Sequence, residues 1–240
     1  MSRTTLKTAI VTGASRGLGL ALARALGGRG WRLVIDARGS EELERARLEL
    51  SELTEVVALP GDVADEWHRT ALVEEAGRRI DLLVNNASAL GPSPLPPVAE
   101  LPLDRYEQVL RVNALAPLGL TQRVLARMPA GGRILNVTSD AAVEAYEGWA
   151  GYGSSKAALE QLTRVLAAER PDLRVYVVDP GDMRTRMHQD AFPGEDISDR
   201  PPPEESVPGL IELIEADLPS GRYAARALAE HRSQTAGAPS

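Results

Sequence analysis

Short apolar runs and longer stretches of four-residue periodicity alternate along the chain. Thr8 to Thr12 (TAIVT) is a β-rich run ending on Gly13, and LGLALARAL follows, with Leu18, Leu22 and Leu26 recurring every four residues. That pattern predicts a buried strand, a tight turn and an amphipathic helix. Arg32 to Asp36, Glu55 to Leu59, Ile80 to Val84, Arg133 to Thr138 and Leu173 to Val178 are further strand-like runs. SEELERARLEL, with Ser40 as its N-cap, ADEWHRTALVEEAG and the segment from Tyr152 to Glu169 read as helices between them. DRYEQVLRVNALAPLGLTQRVLARM is one long helical pattern, with a kink expected at Pro117. PGLIELIEADL and GRYAA predict a last helix and a short final strand.

Such alternation predicts an α/β fold: a single-domain, Rossmann-like, doubly wound parallel sheet of about seven strands with helices on both faces. Neither an internal repeat nor an interdomain linker is visible, so one domain is expected over residues 1–240. Ligands bind such sheets beyond the carboxyl ends of the strands. The turn after Thr12, with Asp62, Asn85, Ser139 and Pro180, would there form one rim. Two irregular stretches adjoin it. The proline-rich ALGPSPLPPVAELP reads as a loop at the mouth of a site, and residues 183–206 as a substrate lid. SQTAGAPS, at 233–240, reads as a frayed tail.

Composition narrows the function classes. With 240 residues, 43% of them hydrophobic, the chain can bury a sizeable core. A formal charge of -7 without clustered Lys and Arg argues against a nucleic-acid partner. The absence of cysteine excludes disulfides and thiolate catalysis, and His68, His188 and His231 lack zinc-site spacing, so no metal centre is expected. The apolar run after MSRTTLK is too short for a signal peptide or a membrane span. A cytoplasmic enzyme without a membrane partner is the simplest expectation.

The candidate chemistry sits in two places. In TGASRGLG, Gly13, Gly17 and Gly19 let the backbone turn sharply and approach a pyrophosphate held at the helix N-terminus. No Gly-Lys-Ser/Thr follows, which disfavours nucleotide hydrolysis. Asp36, Ala37 and Arg38 stand in a row where a dinucleotide's adenosine ribose would lie, and counting alone leaves NAD and NADP open. The second place is SDAAVEAYEGWAGYGSSK, from Ser139 to Lys156. Tyr152 and Lys156 are four residues apart, hence on one helix face, where an ammonium would favour the phenolate and lower the tyrosine pKa toward a useful range.

Taken together, TGASRGLG, the Asp62-Val63 pair, VNNA at Val84 to Ala87, Asn113, Ser139, YGSSK and PGDMRT from Pro180 resemble the short-chain dehydrogenase/reductase family over about residues 6–185. The resemblance implies that Tyr152 is the general acid or base of carbonyl–alcohol interconversion. It implies further that Lys156 lowers the Tyr152 pKa and binds the nicotinamide ribose, Ser139 holds the substrate oxygen, and Asn113 positions a relay water. Gly13, Ser15, Arg16, Gly17 and Gly19 would cradle the phosphates, with Leu18, Ala87, Pro180 and Gly181 among the cofactor contacts. Asp62 and Val63 would meet the adenine, Asn86 the adenine-side ribose, and Thr185 the nicotinamide carboxamide. The NAD-selecting acid of the family falls on Ala37 and the arginine of NADP-preferring members on Arg38, so NADP(H) is favoured over NAD(H).

The expected partner is a small-molecule carbonyl or alcohol. Tyr146, Trp149 and Tyr152, with Met183, Met187 and Phe192 from the lid, suit an apolar or ring-containing one, although Tyr146 and Trp149 also suit an oligomer interface. His188 is expected to face solvent. The resemblance implies a homodimer or homotetramer, but the usual final strand with paired glycines is missing. Gly151 and Gly153 are expected to loosen the first turn of the Tyr152 helix, at about 1 kcal/mol each. Two rival readings are a non-catalytic NADP(H)-binding sensor or regulatory protein, and an isomerase or dehydratase using the cofactor transiently.

Overall fold

The computed structural model describes residues 6–229, and the tail expected to fray at 233–240 lies outside them. Seven strands form one sheet, each alternating with helix: β1 (Thr8–Val11), β2 (Arg32–Ala37), β3 (Val56–Pro60), β4 (Leu82–Asn85), β5 (Arg133–Val137), β6 (Arg174–Asp179) and β7 (Gly221–Ala224). Their order is β3-β2-β1-β4-β5-β6-β7, and every pairing is parallel. The chain winds one way from β1 to β3, then returns to set β4 on the free edge of β1. A crevice therefore opens at the carboxyl ends of β1 and β4, where the following segments diverge.

Side-chain alternation along the strands builds two cores. Val11, Leu33, Ile35, Val84, Leu135 and Tyr176 face α1 (Gly17–Gly27) and α8 (Val207–Glu215), whereas Ile10, Val34, Leu83, Ile134 and Val175 face α3 (Glu66–Ala76) and α5 (Ala116–Val124). Further helices are α2 (Ser40–Ser51), α4 (Leu103–Leu110), α6 (Ala150–Glu169) and α7 (Arg186–Ala191). Among the described residues no helix is long and apolar enough to cross a membrane.

Local readings of the sequence need two corrections. Ser40 is the first residue of α2 rather than its cap; Gly39 occupies the cap position without a side-chain bond. The long helical pattern breaks at a π-turn, Arg111–Leu115, and not at Pro117 itself, which sits in the first turn of α5. Proline has no N–H for the carbonyl four residues earlier, so the helical ladder adjusts upstream, where the Ala116 N–H reaches the Arg111 carbonyl instead.

Candidate active site

One cavity of about 1380 Å³ runs along the carboxyl ends of the strands. Of the expected site residues, all but Gly19 and Asn113 line it. Its two halves have different chemistry.

The first half is built on the turn between β1 and α1. Gly13 and Gly17 have φ of 66° and 56°, a region costly for any residue with a Cβ. A Cβ on Gly13 would stand 2.9 Å from Ala87 Cα, and one on Gly19 would overlap the Gly13 carbonyl oxygen. Helix α1 begins at Gly17 with no side chain capping its free amides, which leaves them to an anion. Arg16 pairs with Glu42 at 2.7 Å. Asn86 braces the turn from below: its amide nitrogen donates to the Thr12 and Gly13 carbonyls at 2.8 and 3.1 Å. Asp62 turns back on its own loop, accepting from the Ala64 N–H.

The second half gathers residues from β5, α6 and the 183–206 segment. Tyr152 and Lys156 share one face of α6, and Nζ lies 5.5 Å from the centre of the tyrosine ring. Both are buried, Tyr152 at 8% and Lys156 at 2% exposure. Burial pushes the tyrosine hydroxyl up to about 12, helped by the charges of Asp179 and Asp140 and opposed by a hydrogen bond with Ser88. Burial brings Lys156 down to about 7. Here the structure departs from the sequence expectation that the ammonium lowers the phenol: Lys156 is itself desolvated and spends its Nζ on the Val137 carbonyl at 2.8 Å.

Ser139 caps the turn that follows β5, donating to Asp140 Oδ1 at 2.8 Å and accepting from the Ala141 N–H. Asn113 lies beneath the cavity in the π-turn and is 1% exposed. Its side chain is fully used: Oδ1 accepts from Ser88 Oγ and Ala89 N–H, and Nδ2 donates to the Ala89 carbonyl and Ser155 Oγ. The side chain itself therefore offers no free atom to a relay water.

The apolar wall is present but differently composed. Trp149 stacks edge-on against Tyr152 at 5.7 Å and leans on Phe192 at 6.0 Å, with Leu90, Leu95 and Met187 packed around them. Tyr146 stands outside, exposed, its hydroxyl donating to Asp140 at 3.0 Å. His188, expected in solvent, lines the cavity instead; its side chain is 11% exposed and stacks on Phe192 at 4.9 Å. Thr185 caps α7 through His188 N–H and brings its methyl to within 3.6 Å of a Cβ placed on Gly17, so the segment expected to act as a lid begins over the glycine turn. Gly153 also differs from expectation. A Cβ there would overlap the Ala141 carbonyl, so glycine lets α6 approach the turn carrying Ser139.

A family model for short chain dehydrogenase matches residues 7–196 of this chain, a stretch that holds the glycine turn, Ser139, Tyr152 and Lys156. The chain belongs to the short chain dehydrogenase family. Two relatives show its spread. The Rhamnolipids biosynthesis 3-oxoacyl-[acyl-carrier-protein] reductase of Pseudomonas aeruginosa is 32% identical, with 97% of this chain and 91% of that protein aligned. Short chain dehydrogenase asqE of Emericella nidulans is 39% identical over 68% of this chain and 64% of its own, so the alignment spans less than two thirds of that curated relative. Among solved structures, a short chain dehydrogenase of Shigella flexneri complexed with NADP superposes with a TM-score of 0.83 at 26% identity, covering 92% of this chain and 97% of the other. One from Escherichia coli complexed with NADPH gives 0.83 at 26% identity, covering 92% and 96%.

Two further residues of this chain support the site: Ser88, in the cavity wall, and Arg222, away from it. Ser88 bonds both Tyr152 and Asn113, and Arg222 of β7 ties the Ser139 carbonyl to Asp179 and the buried Glu160. No local pattern marks either, because each acts across elements distant in the chain. Asp36, which strand alternation turns away from the side Ala37 faces, is directed inward and bonded to Gly13 and His68.

Proposed function

We propose that this chain is an NADP(H)-dependent oxidoreductase that interconverts a small-molecule carbonyl and the corresponding alcohol, with Tyr152 as general acid in reduction and general base in oxidation. The observation that carries this reading is one cavity joining the glycine turn to Tyr152, Lys156 and Ser139. The glycine cradle, the uncapped α1 N-terminus and exposed Arg38 fit a phosphorylated dinucleotide. The nicotinamide group, when bound, supplies or accepts the hydride. Gly13, Ser15, Arg16, Gly17 and Leu18 would hold its phosphates, Arg38 the 2′-phosphate, Asp62 and Val63 the adenine side, with Asn86, Ala87, Pro180, Gly181 and Thr185 completing the contacts. NADP(H) in two structural neighbours supports the choice.

Tyr152, kept protonated by burial, donates its hydroxyl proton to the carbonyl oxygen as that oxygen becomes an alkoxide. Ser139 offers a second hydroxyl to the same oxygen, stabilising charge as it develops. Lys156, whose proton is loosened toward neutral pH, returns a proton to Tyr152. A water relay past Asn113 would run over its backbone carbonyl, because Pro117 cannot supply the usual helical donor. The Trp149, Phe192 and Met187 wall suits an apolar or ring-bearing carbonyl. Exposed Leu162 and Val165 on α6 support a homodimer or homotetramer, which light scattering would read out.

The test is a panel of carbonyl compounds scanned for NADPH consumption, with Tyr152→Phe as control. Turnover lost in the variant supports the assignment. Turnover unchanged in the variant, or cofactor binding without turnover anywhere on a broad panel, favours a sensor or regulatory protein instead.

A further inference from the structure

Asp36 ends β2 with its carboxylate folded beneath the glycine turn. One oxygen accepts the Gly13 N–H at 2.8 Å, and the other meets His68 Nε2, from α3, at 3.0 Å. The pair is sealed, with side-chain exposures of 1% for Asp36 and 9% for His68. Gly61, just beyond β3, makes room for it. Its φ is not positive, so the backbone does not require glycine, yet a Cβ would overlap the His68 ring. Asp36 and Gly61 both belong to the cavity wall, with His68 behind them.

A carboxylate at this strand end that reached the cavity would accept a hydrogen bond from a free ribose 2′-OH and repel a 2′-phosphate. Here its two oxygens are occupied, and the charge that the end of β2 presents outward is that of exposed Arg38. We propose that Gly61 and His68 set the choice between NADPH and NADH by holding the Asp36 carboxylate beneath the glycine turn, away from the adenosine ribose. This rests on the NADP(H) reading above. His68 is a positioning residue in this scheme, acting through Asp36.

Fluorescence titration of the full chain with NADPH and with NADH tests it without any substrate. His68→Leu and Gly61→Ala should each lower the ratio of NADPH to NADH affinity about tenfold or more, by releasing the carboxylate. His68→Gln, which can still donate to Asp36, should retain the ratio. Asp36→Asn keeps an acceptor for the Gly13 N–H without the charge, so adding His68→Leu to it should leave the ratio unmoved. Two results would overturn the proposal: a ratio unchanged in His68→Leu and Gly61→Ala, or equal weakening of both cofactors, which would reduce the pair to a brace for the turn. If His68→Leu does not fold, Gly61→Ala and His68→Gln decide alone. Unmutated protein that binds NADH as tightly as NADPH would sink the parent NADP(H) reading, a separate failure.

Discussion

Burial moves Tyr152 and Lys156 in opposite directions, and the consequences can be measured without a substrate. Lys156 falls from 10.5 to about 7, so between those values the unfolded chain binds a proton that the native chain does not. Stability from this group therefore rises as pH rises from about 7 to 10.5, and the full penalty of burying an ammonium applies below that window. Lys156→Met should flatten that rise in urea unfolding followed across the window. Tyr152 goes the other way, from 10.0 to about 12: its contribution is fully present below 10 and is lost as pH passes 12. In turnover, Tyr152→Phe should cost about 10²- to 10⁴-fold in kcat, the usual range for a positioned proton donor. At the other end of the cavity, Arg38→Ala should weaken NADPH about 10- to 100-fold and leave NADH nearly unchanged, as the loss of one charge-assisted phosphate bond requires. Equal loss for both cofactors would remove Arg38 from the 2′-phosphate role.

At the scale of elements, the informative features are places where chain segments come closer than side chains permit. Helix propensity alone favours Gly153→Ala by about 1 kcal/mol. The overlap of that Cβ with the Ala141 carbonyl predicts the opposite sign: α6 is pushed away from the turn carrying Ser139, the protein loses stability, and kcat falls more than KM changes. A more stable and fully active variant would show that the approach is slack. The π-turn at Arg111–Leu115 is a second case. It carries Asn113 into a buried position where four bonds hold it to the 88–89 segment and to Ser155, and Ser155 in turn donates to the Tyr152 carbonyl. Periodicity reports the helices on either side of such a turn but not the turn, because one extra residue barely disturbs an apolar stripe.

Across the whole molecule, the strand order places the glycine turn, Ser139 and the 183–206 segment around one opening, and binding there should stabilise the entire fold. NADPH at a hundred times its Kd should raise unfolding stability by about 2.7 kcal/mol, with a smaller shift from NADH at equal concentration. Identical shifts would argue against selection at the end of β2. The alternating apolar runs were enough to specify the parallel α/β sheet, since short unbroken apolar runs mark strands buried on both faces and the helical recurrence between them marks the covering helices. The glycine spacing and the order of Ser139, Tyr152 and Lys156 were enough to point to the family. Three things belonged to the tertiary structure. Desolvation of Lys156, the choice of His68 as partner to Asp36, and the need for glycine at 61 and 153 all arise between elements far apart in the chain. Local pattern carries hydrophobic period and turn chemistry, whereas electrostatic environment and close approach exist only once the sheet has brought those segments together.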